Sequence, residues 1–382
     1  MIDTIVLKVA APCNLRCTYC YEYQAGDSSW ERMPKHLDVT TAERLGARIA
    51  EYAGAVGLNR FQVMLHGGEP LLLGRQKLEA IVGALRRCAA PVDLRIGMQT
   101  NAVLIDEDIA AFVKDNRIKV GVSLDGGAAQ NKRRIDLAGR PTFERALAGY
   151  RLLEAHAPEC LSGLLTVIDL ANDPADTVSF LCSLKPKQLD LLLPFETHDT
   201  LGANCEGWAE RLDAWLQRAF EAWFFNRDFA PVKIRIFEDV MQALITRSPR
   251  TDWFGPRRVS YLVVATNGEI DTLDHLKVIG AESASFRGTD ADVFRHSLAE
   301  AESAATALLD RVGATALPTG CGACPLRDVC CGGYLPHRYS SARTFDNPSV
   351  ACTAITGMFR RFLPIMNARV GTASHVEGAI IP

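Results

Sequence analysis

The stretch Ala11-Pro12-Cys13-Asn14-Leu15-Arg16-Cys17-Thr18-Tyr19-Cys20-Tyr21-Glu22-Tyr23 follows directly on the first apolar segment and sets three thiols with three and then two residues between them. Thiolates are soft ligands that select zinc, copper(I) or an iron–sulfur cluster, and a structural zinc site asks for a fourth protein ligand close by. No fourth ligand stands near, so a zinc knuckle would need a distant residue. A [4Fe–4S] cube held at three of its irons fits this triad better, because the fourth iron keeps a position open for an exchangeable small molecule.

Outward from the triad, β-type runs alternate with helix-type runs to about residue 195. Pattern and β-branched content place strands at Thr4–Val9, Phe61–Leu65, Asp93–Met98, Lys119–Ser123, Leu161–Ile168 and Gln188–Leu193. Amphipathic stretches at Thr41–Ala53, Gln76–Cys88, Glu107–Lys114 and Phe143–His156 fill the gaps as helices. Such alternation predicts an α/β fold on a parallel sheet, whose right-handed crossovers would curl it into a full or partial barrel with its chemistry at the carboxyl ends of the strands. The polar motifs fall at those ends. The cysteine loop follows the first strand, His66-Gly67-Gly68-Glu69-Pro70 the second, Gln99-Thr100-Asn101 the third and Ser123-Leu124-Asp125-Gly126 the fourth.

Farther on, Trp215, Phe220, Trp223 and Phe224 lie along a helical stretch from about Trp208 to Phe225, a pattern that reads as core packing. Val259–Ala265 and Glu269–Leu273 flank an Asn-Gly turn signal and form a short hairpin, and a helix is expected over His296–Val312. The tail after Pro364 is small and polar and is expected to add little.

The chain of 382 residues, 48% hydrophobic, can bury a large core, and its net charge of −3 gives no global positive field for nucleic acid or an acidic membrane. It shows no basic leader with a cleavage pattern and no run of the ~18–20 apolar residues a membrane span needs, so a cytoplasmic protein is expected. The 12 cysteines cluster at the two ends, which in a long cytosolic chain points to metal rather than disulfides. Cys88, Cys160, Cys182 and Cys205, scattered between, read as core thiols.

A second constellation, Cys321-x2-Cys324-x5-Cys330 with Cys352 after Phe345-Asp346-Asn347-Pro348-Ser349-Val350-Ala351, is complete at four. Chemistry alone leaves a zinc ribbon and a closed iron–sulfur cluster equally open.

Residues 5 to about 195, with C-x3-C-x2-C, its aromatic Tyr19 and Gly-Gly-Glu-Pro, resemble the core of the radical S-adenosylmethionine (SAM) enzymes. That resemblance implies a partial (β/α)6 barrel in which Cys13, Cys17 and Cys20 hold a [4Fe–4S] cluster and Gly67, Gly68 and Glu69, ahead of Pro70, take the SAM amino group. It further implies that Tyr19 borders the adenine, Asn101 and Ser123 meet the ribose with Asp125 orienting them, Arg134 rather than Arg133 pairs with the carboxylate, and Val167 ends the fifth strand beside the base. Reductive cleavage would then release a 5′-deoxyadenosyl radical.

The second constellation resembles the SPASM extension of peptide-modifying radical SAM enzymes, where such a set holds an auxiliary cluster. Two such clusters are usual there, but Leu273 and Tyr334 stand where ligands of the inner one are due, so one SAM-binding and one auxiliary [4Fe–4S] cluster are expected. Cys331 reads as a buried spare thiol. Asp274 occupies the place of the family's candidate general base, with His275 a weaker candidate, and burial would raise its carboxyl towards neutrality. The implied division is 1–205 for the core, 206–256 for a helical bridge and 257–382 for a C-terminal SPASM-like domain.

The runs Cys330-Cys331-Gly332-Gly333-Tyr334-Leu335-Pro336-His337-Arg338-Tyr339 and Asp271-Thr272-Leu273-Asp274-His275-Leu276-Lys277 resemble the narrower FxsB/GrrM/XyeB-like maturases, several of which form three-residue cyclophanes. This implies β-hydrogen abstraction from a precursor peptide of leader plus core, carbon–carbon bonding to an aromatic ring, and net two-electron oxidation, with a flavodoxin or ferredoxin as reductant. Arg257, Arg258, Arg338 and Arg343 are candidates to meet an acidic leader. Rivals are a formylglycine-generating or thioether-forming maturase and, from another class, a non-catalytic iron–sulfur peptide-binding module.

Overall fold

Ten strands appear among the described residues: β1 (Thr4–Ala10), β2 (Arg60–Gly67), β3 (Asp93–Thr100), β4 (Lys119–Ser123), β5 (Leu161–Val167), β6 (Gln188–Leu192), β7 (Lys233–Ile234), β8 (Tyr261–Val264), β9 (Glu269–Asp271) and β10 (Gly288–Asp292). The computed structural model describes residues 1–246, 253–255 and 259–370, so Arg257 and Arg258 lie outside the described residues. The chain forms two units, one of Met1–Leu124, Asn131–Leu165 and Val259–Leu309, the other of Asp125–Gln130, Thr166–Arg258 and Asp310–Pro382.

In the first unit β1 to β5 run parallel with spatial order equal to sequence order. Helices Val39–Val56, Gly74–Ala89, Glu107–Asp115 and Phe143–His156 make the crossovers. Local chemistry explains their starts: Asp38 accepts from the Thr40 N–H and Asp106 from the Ile109 N–H, each satisfying a donor that a helix N-terminus leaves open. β1 is buried along most of its length, as expected of an inner strand of a parallel sheet.

The hairpin forms where its turn signal placed it, with β8 antiparallel to β9, and what the sequence did not state is its partner. β8 pairs parallel with β1, Thr4 opposite Tyr261 and Leu7 opposite Val264, while β9 and then β10 continue antiparallel. The hairpin therefore extends the N-terminal sheet on the side of β1 away from β2.

In the second unit β6 and β7 are parallel, and the helices Pro174–Ser183, Cys205–Phe224, Arg235–Thr246 and Cys352–Val370 surround an aromatic core. Phe220 lies 4.2 Å from Phe362 and 5.3 Å from Phe237, and Trp223 stacks on Phe237, so the aromatic stripe is core packing as its period suggested. The final helix continues through Pro364 to Val370, and its Phe359 and Phe362 are buried. The chain just before Pro364 thus contributes core, while residues 371–382 of the tail expected to add little lie outside the described residues. Cys160 and Cys182 are buried core thiols, whereas Cys88 and Cys205 are half-buried.

Candidate functional site

The cysteine loop leaves the carboxyl end of β1 and is held open by backbone bonds rather than by regular structure. Arg16 N–H donates to the Ile135 carbonyl at 2.7 Å and Thr18 N–H to the Arg133 carbonyl at 3.0 Å. These bonds bring two arginines to Tyr19: Arg134, buried, donates to the phenol oxygen at 2.8 Å, and the Arg133 guanidinium sits 5.0 Å from the ring centroid. Of the two, Arg134 is the one whose charge is turned inward.

Burial pushes the Cys13 thiol up to about 12 and the Cys20 thiol up to about 11. Thiols so placed are inert as nucleophiles, and a metal centre would supply the positive charge that favours their thiolates.

The glycine pair at the end of β2 closes against this loop. Gly68 N–H donates to the Ala10 carbonyl at 2.9 Å and Glu69 N–H to the Pro12 carbonyl at 3.1 Å. Gly67 has φ +143°, and a Cβ there would run into the Ala10 carbonyl oxygen. A Cβ at Gly68 would overlap the Tyr23 hydroxyl and the Pro12 carbonyl. Only glycine permits this approach.

Glu69 has a more internal task than its motif suggested. Its buried carboxylate accepts from Leu71 N–H at 3.1 Å, Thr100 Oγ1 at 2.7 Å and Asn101 N–H at 2.9 Å. Burial pushes its pKa up against the pull of those donors. Most of its acceptor capacity is thereby spent tying the end of β2 to the end of β3, with Pro70 opening the turn that follows. Asn101 donates to Asn14 Oδ1 at 2.8 Å and stands 3.9 Å from the Cys13 sulfur, and Ser123 Oγ accepts from Gln99 Nε2 at 2.8 Å. In the second unit, Asp125 accepts from the Val167 N–H at 3.1 Å.

Asp274 is the main correction. It belongs to a buried quartet: Lys8 Nζ donates to Glu22 Oε2 at 3.0 Å and to Asp274, and Lys277 donates to Glu22 and lies 3.3 Å from Asp274 Oδ1. Tyr21 Oη adds a bond to Asp274 at 2.8 Å. Burial pushes the Asp274 carboxyl up, but Lys277 and Lys8 together outweigh it and hold the carboxyl well below the usual range. Asp274 is therefore fixed as a carboxylate, not raised towards neutrality. His275 is also buried, with Nδ1 3.4 Å from Tyr261 Oη. Lys8 was missed as part of the site, although a lysine inside the apolar run of β1 was its signal. Beside the quartet, burial and then Lys8 push His66 down to about 3, so its imidazole is neutral.

In the second unit Cys321, Cys324, Cys330 and Cys352 line one cavity together with Leu326, Gly332 and Ser349. Cys321 closes the turn Thr319–Cys321, Cys330 ends the short helix Arg327–Cys330 and Cys352 begins the last helix. Burial, followed by the neighbouring Cys352 and Cys321, pushes the Cys330 thiol up to about 12. Cys331 is half-buried, not fully buried as expected, and does not line the cavity. Arg343 is exposed, but Arg338 is 1% exposed and so cannot be the leader contact its sequence suggested. Tyr334 is buried with its ring 4.4 Å from Trp253 and 5.0 Å from His337.

Among the described residues no three His, Cys, Asp or Glu side chains converge as ligands of a single metal ion. A cube takes soft thiolate ligands, one to each iron, and both donor sets offer thiols of that kind. No helix is long and apolar enough to cross a membrane among the described residues.

This combination of a parallel sheet, an open thiol triad at the end of β1 and a glycine pair at the end of β2 defines an enzyme class. Residues 8–181 match the Radical SAM superfamily, so the chain carries a radical SAM domain. Among curated proteins it is 31% identical over 207 residues to an uncharacterized protein of Methanocaldococcus jannaschii, covering 53% of this chain and 67% of that protein. It is 28% identical over 344 residues to the serine-type anaerobic sulfatase-maturating enzyme of Klebsiella aerogenes, covering 87% of this chain and 80% of that one. Against the cysteine-type enzyme of Clostridium novyi it is 25% identical over 260 residues, covering 65% and 67%. Among solved structures, native anSMEcpe with bound AdoMet and Kp18Cys peptide shares the fold at TM-score 0.79 and 19% identity, covering 96% of this chain and 98% of that one. Streptococcus suis SuiB bound to precursor peptide SuiA aligns at TM-score 0.58 and 14% identity, covering 92% and 76%.

Proposed function

We propose that this chain is a radical SAM maturase of a ribosomally made precursor peptide and that it forms a carbon–carbon link between a side-chain β-carbon and an aromatic ring. In this reading Cys13, Cys17 and Cys20 hold the SAM-binding cluster, Cys321, Cys324, Cys330 and Cys352 hold one auxiliary cluster, and residues 1–205, 206–256 and 257–382 divide into core, bridge and SPASM-like domain. When bound, SAM and the two clusters supply a hydrogen-abstracting radical and an exit for the electron that a net two-electron oxidation must lose.

The chain's own residues do the positioning. Gly67 and Gly68 let backbone carbonyls approach the SAM ammonium group, Arg134 and Tyr19 meet its carboxylate and adenine, and Asn101 and Ser123 meet the nucleoside. Asp274, kept ionised by Lys8 and Lys277, accepts the ring proton. Its low basicity suffices, because an aromatic ring that has gained a substituent and lost an electron is itself a strong acid.

The observation that carries the reading is the presence of a three-thiol loop and a separate cavity lined by four thiols, while buried Tyr334 packs on Trp253 where the resemblance would put a cysteine of a second auxiliary cluster. The sulfatase-maturating relatives favour a second reading, oxidation of a Cys or Ser side chain to formylglycine. Incubation of the reconstituted, reduced protein with SAM and candidate precursor peptides separates the two by tandem mass spectrometry. Loss of two hydrogens, with no backbone fragmentation inside a three-residue ring and no reaction with a hydrazide, is the expected result. A hydrazide-reactive aldehyde would replace the cyclophane reading with the formylglycine one.

A further inference from the structure

Among the described residues Arg338 is the largest fully buried side chain, and its guanidinium is wrapped in backbone carbonyls. Nε and Nη2 both donate to the Phe345 carbonyl, at 2.9 and 2.7 Å. Nη1 donates to Ala314 at 3.0 Å, and Nη2 also reaches Ala316 at 2.8 Å and Gly313 at 3.4 Å. The two segments so clamped lead into Cys321 on one side and towards Cys352 on the other. The stem of Arg338 lies behind the cavity itself: Gly332, which lines it at φ +87°, has the Arg338 Cδ 3.6 Å from where its Cβ would be.

A guanidinium does not give up its proton in a protein, so the charge is permanent. A four-thiolate cluster is anionic and gains a further negative charge on reduction, and cluster potentials respond to local charge and to exposure. A fixed cation in a low-dielectric surrounding therefore favours the reduced form.

We propose that Arg338 is a positioning residue of the four-cysteine site, clamping the segments that carry Cys321 and Cys352 and raising the reduction potential of the cluster held there. The inference rests on the reading that these four cysteines bind a cluster. Its chemical consequence is a better electron acceptor at that end of the chain.

The test uses the full chain with Cys13, Cys17 and Cys20 changed to Ala, so that one cluster remains, titrated anaerobically with dithionite and redox mediators and followed by electron paramagnetic resonance. Arg338→Met is expected to move the midpoint to more negative potential by roughly a tenfold change in the reduction equilibrium, about 59 mV for one electron. Arg338→Lys is expected to recover most of that shift, which a purely steric role would not produce. Should Arg338→Met lose its iron, Asp346→Asn serves instead. Asp346 accepts from the Thr319 N–H at 2.7 Å, and removing its charge is expected to move the midpoint the other way. Loaded variants that all titrate at the parent midpoint would overturn the proposal. A parent that binds no iron would overturn the cluster reading beneath it.

Discussion

The two cysteine sites solve opposite problems with the same ligand. The first hangs its thiols on an irregular loop after β1, cross-bonded to Ile135 and Arg133, and sets glycine backbone beside them. The second gathers its four thiols around one cavity from two short helical turns, the link between them and the start of a long helix. Charge follows the same division. Behind the open loop stands a balanced quartet of two lysines and two carboxylates, whereas the four-thiol cavity is backed by the permanent charge of Arg338.

That contrast can be broken one side at a time. The largest effect is expected from Cys17→Ala, which should abolish reductive formation of 5′-deoxyadenosine, followed chromatographically, while leaving the iron of the four-cysteine site in place. Retained SAM cleavage would remove the functional distinction. Next, Lys8→Met leaves Glu22 and Asp274 short of a buried cation, and breaking a buried pair in this way costs about 3–5 kcal/mol. Urea unfolding checks it, and an unchanged midpoint would show that the quartet does not support the open site. A smaller loss, about 1–3 kcal/mol, is expected for Gly68→Ala, because the new methyl group meets the Pro12 carbonyl and the Tyr23 hydroxyl. Its SAM affinity by equilibrium dialysis should fall with it, while the absorbance of the four-cysteine site stays.

The least effect is a pH dependence. Asp274 has a folded-state pKa below its unfolded value, so its stabilisation is complete above the unfolded carboxylate pKa of ~3.9 and is lost as pH falls through the depressed folded value. Wild-type stability should therefore lose this contribution only below about pH 4. Asp274→Asn should flatten the acid limb, and an unaltered acid limb would contradict the depressed pKa.

Much of the architecture was legible in local pattern. The spans Lys119–Ser123 and Phe143–His156 form as expected, and the other early strands and helices differ only at their ends. These elements bury one face each, and their period records it. The pairing of β8 with β1 was not legible, because both strands read as short apolar runs and nothing local states which partner a strand takes. The same limit hid the quartet. Lys8 is a lysine in a strand, Glu22 follows the triad and Lys277 closes the hairpin, and only the pairing of β8 with β1 brings them together. The grouping of Cys321, Cys324, Cys330 and Cys352 around one cavity, by contrast, was legible, since cysteines set at short fixed intervals stay together whatever the packing.

In the proposed reading one chain carries an open cluster and a single auxiliary one, and iron per chain after anaerobic reconstitution decides it. About eight irons are expected for two cubes, falling to about four when either Cys13, Cys17 and Cys20 or Cys321, Cys324, Cys330 and Cys352 are changed to Ala. About twelve irons, or four retained when both sets are removed, would contradict it.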